Sequence, residues 1–313
     1  MAKYYTVKVE RVPHFSVCFV RFMEFELGYI YALLATVLWS GNAVAARFLA
    51  ESTPAIGVSF WRWAVALIIC FPATYPAFRR NIPAVKKHWK YLTVLALLGV
   101  AMFNTMLYWA AHTTTAFNIA VISTTLPIFI LVITLFMGER LSRVNFLGFI
   151  IANAGIVSLV TDASPEKLLQ MQVAEGDFIM LAAAAVFAIY TILVRRKPAE
   201  ISINTMVFCT FHVGTLMLLP LYIVQEMYFT PVVFGFEQVT SFIYIGVFAS
   251  FVAFMSWNRA VVMIGAAKSG AVYYSIPVFS GLLAFILLGE AITVIDIISM
   301  CIVAFGVYLV SKK

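Results

Sequence analysis

The sequence predicts an all-α integral membrane protein of ten transmembrane helices, arranged as two inverted five-helix repeats. Three observations carry that expectation. The chain has 313 residues, of which 63% are hydrophobic and 11% charged, with a mean hydropathy of +0.99; a soluble domain carries about 25% charged residues and could not hide so much apolar surface. Apolar runs of about 20 residues, the length that crosses a bilayer core as a helix, recur along nearly the whole chain. Matched features then recur about 150 positions apart.

The elements follow from apolar runs between charged or Pro-rich breaks. Spans are expected near 28–49, 55–78, 90–111, 115–137 and 144–160, then 178–194, 203–224, 239–262, 269–288 and 293–311. Basic residues fall in alternate connections: Arg79, Arg80, Lys86, Lys87 and Lys90 after the second span, Arg140 and Arg143 after the fourth, and Arg195, Arg196 and Lys197 after the sixth. Arg259 and Lys268 flank the connection after the eighth, and Lys312 and Lys313 end the chain. Such loops face the cytoplasm, which puts both termini inside and the protein in the plasma membrane as a multi-pass species. The intervening loops carry Glu51, then Asp162, Glu166, Glu175 and Asp177, then Glu226 and Glu237, with Arg47 and Lys167 as exceptions. The net charge of +7 therefore reports orientation in lipid, and no nucleic-acid partner is expected.

The repeat divides the chain into an N-terminal extension at 1–26, a first repeat at 27–161, a linker at 162–175 and a second repeat at 176–313. Phe15 to Phe22 is too short to span, and Met23 directly precedes the first good span. Met23 is therefore a candidate native start; N-terminal sequencing that finds an intact Met1 would remove it. STTLP at 123–127 answers YYSIP at 273–277, and Gly138-Glu139 answers Gly289-Glu290. Trp109 answers Trp257, Gly155 answers Gly306, Arg47 answers Arg195 and Gly28 answers Gly176. Because a five-span unit is odd in number, its copy enters the membrane from the opposite side. Inverted repeats let either half take the other's shape and so open a central site to alternate sides, which points to a carrier.

At this point the chain resembles a known family. LWSGN at 38–42, FWRW at 60–63, Asn118, LPIF at 126–129, LFMGERL at 135–141, WNRA at 257–260, IPV at 276–278 and LLGE at 287–290 look like the drug/metabolite transporter superfamily, EamA-like branch, from about Gly28 onward. The resemblance implies a ten-helix carrier with two EamA repeats, often an exporter of amino acids or other metabolites.

Candidate substrate-binding residues are Trp39, Asn42, Arg62, Asn104, Tyr108, Asn118, Tyr190, His212, Trp257, Tyr273 and Tyr274. Arg62, flanked by Trp61 and Trp63 two turns into its span, either attracts a substrate carboxylate or anchors helices; the structural role carries more weight. His212, near the matching place in the second half, offers a route for proton coupling, against the commoner role of bonding a neighbouring helix. Asn42 and Asn104 matter because an amide in hydrocarbon needs a partner, and Tyr190 because it answers Asn42 across the repeat. Single aromatics more often pack, or sit in the interfacial belt. Pro127 and Pro277 are candidate hinges, each freeing a carbonyl within a span and each beside hydroxyl-bearing residues. Glu139 and Glu290, at helix ends beside glycine, read as structural.

The expected function is a secondary carrier for a small organic solute, exporting amino acids or related metabolites by alternating access. The scarcity of buried charge disfavours sugar phosphates, so a nucleotide-sugar carrier is the alternative, followed by a drug or quaternary-amine carrier and a sensor without flux. No Walker-type run exists, so ATP is not hydrolysed, and no cofactor is expected. No His-Glu-x-x-His run, carboxylate pair or Cys-His spacing within a span supports an enzyme or a metal site. Cys18, Cys70, Cys209 and Cys301 have unrelated spacings and are given no chemistry. Lipid-facing and partner-facing surfaces read alike, so no oligomeric state is assigned.

Overall fold

The computed structural model describes residues 14–50, 52–170, 172–288 and 292–312, and these fold into helices joined by short connections. In chain order they are α1 (His14–Ala50), α2 (Ala55–Arg80), α3 (Ile82–Lys87), α4 (Trp89–Ala96), a π-helical segment (Leu97–Met102), α5 (Phe103–Thr113), α6 (Ala116–Ser123), α7 (Thr125–Phe136) and α8 (Arg143–Thr161). There follow α9 (Pro165–Leu169), α10 (Glu175–Arg195), α11 (Ile203–Tyr228), α12 (Phe236–Tyr244), a second π segment (Ile245–Val252), α13 (Ala253–Ile264), α14 (Ala266–Tyr273), α15 (Ser275–Leu288) and α16 (Val294–Ser311). Eight helical stretches among the described residues are long and apolar enough to cross a membrane, and they fall on eight of the ten expected spans. The expected spans 28–49 and 269–288 fall on α1 and on the α14–α15 pair. Glu290 and the side chain of Arg47 lie outside what is described. The stretch from Phe15 to Phe22, too short to span alone, is helical and continuous with α1.

Breaks between helices have local causes. Pro54 precedes α2 in extended conformation, Pro83 sits in the first turn of α3, and Pro165 opens α9. Thr115, Ser142, Ser202 and Thr293 each accept a hydrogen bond from the backbone N–H three residues on, satisfying a donor that the helix start would otherwise leave open.

Packing pairs each half with the other. α2 lies against α11, α8 against α16 and α7 against α14; α1 lies against α13 and α15, while α10 lies against α5 and α7. The α8–α16 seam is closest at its glycines. A Cβ on Gly148 would fall 2.7 Å from the Gly306 carbonyl oxygen, and one on Gly306 would overlap the Ala152 backbone. Asn145 closes one end of this seam by donating to the Val310 and Lys312 carbonyls at 2.6 and 3.0 Å. Small residues thus let two backbones meet where lipid supplies no hydrophobic drive for helix association.

Candidate functional site

The middle of the bundle is organised by the two π-helical segments. A π turn breaks the regular ladder and leaves carbonyls for other donors, and such turns concentrate at functional sites. In the first segment the Asn104 side chain donates to Gly99 O, five residues back, at 3.1 Å; in the second, Ser250 Oγ donates to Ile245 O, also five back, at 2.8 Å. The carbonyl of Ala249, inside the second segment, accepts from both Trp39 Nε1 and Arg62 Nη2, each at 2.9 Å.

Arg62 is 1% exposed. Besides Ala249 O it donates to Ser250 Oγ, to Asn42 Oδ1 at 3.2 Å and to the Tyr108 hydroxyl at 2.9 Å. Four of its five N–H groups are therefore occupied by neutral acceptors, and no described carboxylate pairs with it. One guanidinium clamps α1, α2, α5 and the second π segment. Tyr108 also donates to Asn42 Oδ1 at 3.1 Å. In the other half the Tyr190 hydroxyl donates to Asn258 Oδ1 at 2.9 Å. Each half thus holds one buried phenol–amide pair, with the residue types exchanged between the two helices.

Beside this clamp, Trp39 meets four rings. Its centroid lies 5.2 Å from Trp257, 5.6 Å from Phe187 and from Phe254, and 6.1 Å from Tyr273, edge to face with the two phenylalanines and tilted against the other two. Trp257 is held by a 3.3 Å bond from its Nε1 to Thr191 Oγ1. The rings come from α1, α10, α13 and α14, so this box forms where the two halves meet. Tyr273 is only half-buried among these otherwise buried rings.

The family model for the EamA-like transporter family matches residues 26–161 and again 174–312. The chain belongs to that family. It is thus a multi-pass membrane transporter with two EamA repeats. Over 286 residues this EamA transporter is 24% identical to an uncharacterized transporter of Archaeoglobus fulgidus, covering 91% of this chain and 97% of that one. It is also 24% identical to a protein of Streptantibioticus cattleyicolor named a probable terminal-alkyne amino-acid exporter, covering 91% and 93% of the two chains. Against the Bacillus subtilis transporter YetK the identity is 22% over 296 residues, covering 91% and 87%. A crystal structure 18% identical in sequence superposes with a TM-score of 0.73 over 90% of this chain and 95% of that one, which shows a shared fold.

Of the expected binding residues, the EamA transporter brings Trp39, Asn42, Arg62, Tyr108, Tyr190, Trp257 and Tyr273 into the clamp and box, with Asn104 serving the first π segment. Three lie elsewhere. Asn118 is at the start of α6, where its amide donates to both Asp177 carboxylate oxygens at 3.0 and 2.9 Å, so its partner is the opening turn of α10. His212 Nδ1 donates to Phe208 O at 2.7 Å and the ring packs on the Phe208 and Phe71 rings, away from the box. Tyr274 accepts from Asn153 at 3.2 Å within a separate cluster beside α8 and α16. The side chain of Tyr273 enters the box, and its neighbour leaves it because adjacent helical residues diverge by about 100°.

Pro127 and Pro277, expected within continuous spans, instead stand third in α7 and α15, just past breaks at Thr124 and Tyr274. Each proline removes the N–H that would bond the carbonyl four residues back, and the helix departs from regular winding at one residue, Thr124 or Tyr274, whose backbone stays in the right-handed helical region. The neighbouring hydroxyls of Ser123, Thr124 and Thr125 all bond to carbonyls three residues back on their own chain. They are spoken for locally. Phe187, Phe254, Ser250 and Asn258 were not anticipated. Phe187 stands 148 residues after Trp39, the same offset that pairs Trp109 with Trp257, so the repeat itself could have found it.

Proposed function

We propose that this EamA transporter is a secondary carrier of ten transmembrane helices in two inverted repeats, with both termini cytoplasmic, that exports amino acids or closely related metabolites across the plasma membrane by alternating access. The observation that carries the reading is the aromatic box of Trp39, Phe187, Phe254, Trp257 and Tyr273, set between the halves and braced by π segments at matching places in each. A solute held between two halves is released to alternate sides when they rock. The exchange of roles between Asn42–Tyr108 and Tyr190–Asn258 supports a repeat-related pair of conformations, since each half keeps the same kind of bond from different residues. The amino-acid exporter name of one relative points the same way for substrate.

Export of a labelled panel of amino acids, organic cations and sugar phosphates from cells expressing the chain tests this directly. Faster loss of the amino-acid class is expected, with Trp257→Ala reducing it. Equal retention of every class, with the protein folded in the membrane, would end the export reading.

A further inference from the structure

We infer that the site selects its solute by a carboxylate and does not read the amino group, so that the transported class is an apolar body carrying a carboxylate, and cations of the same shape are rejected. This rests on the box being the solute site.

The argument is one of unbalanced charge. The sequence has no Asp or Glu within 27–50, 52–138, 140–161, 178–199, 201–225, 238–289 or 297–313. Among the described residues the spans therefore offer no carboxylate within them to receive an ammonium. They do contain Arg62, 1% exposed and bonded only to neutral acceptors. Because Arg62 Nη2 and Trp39 Nε1 share the Ala249 carbonyl at 2.9 Å each, the guanidinium adjoins the box. At an effective dielectric near 20, a charge about 10 Å from Arg62 has its binding shifted on the order of tenfold, favourably for an anion and unfavourably for a cation.

An aromatic box taken alone would suggest the opposite preference, since ring faces attract ammonium groups. Here part of that ring surface already meets other rings: Trp39 meets Phe187 and Phe254 at interplanar angles of 80° and 78°, one ring's edge on another's face. An entering cation would find no counter-charge and a fixed positive neighbour. A carboxylate finds the neighbour it needs, with the Arg62 field acting through space because four of its five donors are already committed.

The test uses three solutes of one shape: 4-methylpentanoate, leucine and leucinamide, at about pH 6 where an α-amino group is protonated. Binding is read by quenching of intrinsic tryptophan fluorescence in the full chain held in nanodiscs. Expected are dissociation constants that rise from 4-methylpentanoate through the net-neutral leucine to leucinamide, with leucinamide at least tenfold weaker than 4-methylpentanoate, a tenfold ratio being about 1.4 kcal/mol. Arg62→Lys keeps the charge and should keep the ratio; Arg62→Gln should bring it towards one. Leucinamide binding as tightly as leucine, or saturable binding by none of the three, overturns the inference. A chain that binds the two carboxylates and moves neither in vesicles would leave the charge preference standing and remove the carrier reading instead.

Discussion

Arg62 ties four elements together through uncharged acceptors, and its removal should be felt as four lost bonds rather than one. Arg62→Met removes its bonds to Asn42, Tyr108, Ser250 and Ala249 O in a dry interior, leaving those groups only their bonds to Tyr108, Asn42, Ile245 O and Trp39, and each lost bond is worth about 0.5–1.5 kcal/mol. We expect a loss of about 3 kcal/mol or more, seen as a lowered thermal midpoint by tryptophan fluorescence in detergent, with Arg62→Lys intermediate. An unchanged midpoint would mean the clamp holds nothing. Trp39→Phe is subtler. It keeps a ring in the box but deletes the indole donor to Ala249 O, which Arg62 still satisfies, so stability should fall by only about 1 kcal/mol while the apparent KM for solute rises several-fold. Equal losses in KM and in maximal rate would place Trp39 in the scaffold. Much of this site was legible: a lone arginine between tryptophans, and amides within apolar runs, announce themselves because each needs partners in hydrocarbon. The partners did not. Ser250 is an ordinary serine until a π turn aims it, and the Ala249 carbonyl belongs to a residue with no polar side chain at all.

Hydrophobic run length decides where helices lie, and that is why eight of the expected spans were readable to within a few residues. Runs give no hint of how the backbone winds within them, so the two π segments and the breaks at Thr124 and Tyr274 were invisible; the prolines marked the neighbourhood of the breaks but suggested hinges inside continuous helices. Symmetry within the repeat is the better guide, because the π segments begin at Leu97 and Ile245, 148 residues apart. The α8–α16 seam offers a test at this scale. Gly306→Val adds a branched side chain where even a Cβ overlaps the Ala152 backbone, so the helices must separate, at a cost of about 1–3 kcal/mol. Gly138→Ala makes a useful contrast: no atom lies within 4 Å of its Cβ position, so any effect comes from its φ of +81° alone. A midpoint for Gly306→Val equal to the parent would show that the seam has slack.

Across the whole molecule, the contacts that bridge the two halves outside the membrane are unequal. On one side Glu200, between α10 and α11, accepts from Lys87 Nζ at 2.7 Å and pairs with His88 Nε2 at 3.0 Å, both near the α3–α4 junction. These bonds hold its carboxyl below the usual carboxylate range. Among the described residues, the loops that the proposed repeat makes equivalent are joined by Gln238 donating to Ser52 at 3.2 Å, with no ion pair. In a carrier whose halves rock, the ionic bridge favours closure of its own face, and its asymmetry biases the resting state. Glu200 has a depressed pKa, so the bridge is complete above the ordinary carboxylate value near 4.3 and fades as pH falls through the lower, folded-state value. Exposed pairs of this kind shift a two-state ratio by at most about fivefold. A cysteine placed at Ala84, beside Lys87 and Glu200 in the same cleft, reports that face in a background free of native cysteines. Its maleimide labelling near neutral pH should rise up to about fivefold on Glu200→Gln, and Gln238→Ala should not reproduce the rise, because that contact closes the opposite face. Labelling that ignores Glu200→Gln would make the bridge a static loop contact, and the resting state would then be set within the membrane, by the clamp around Arg62.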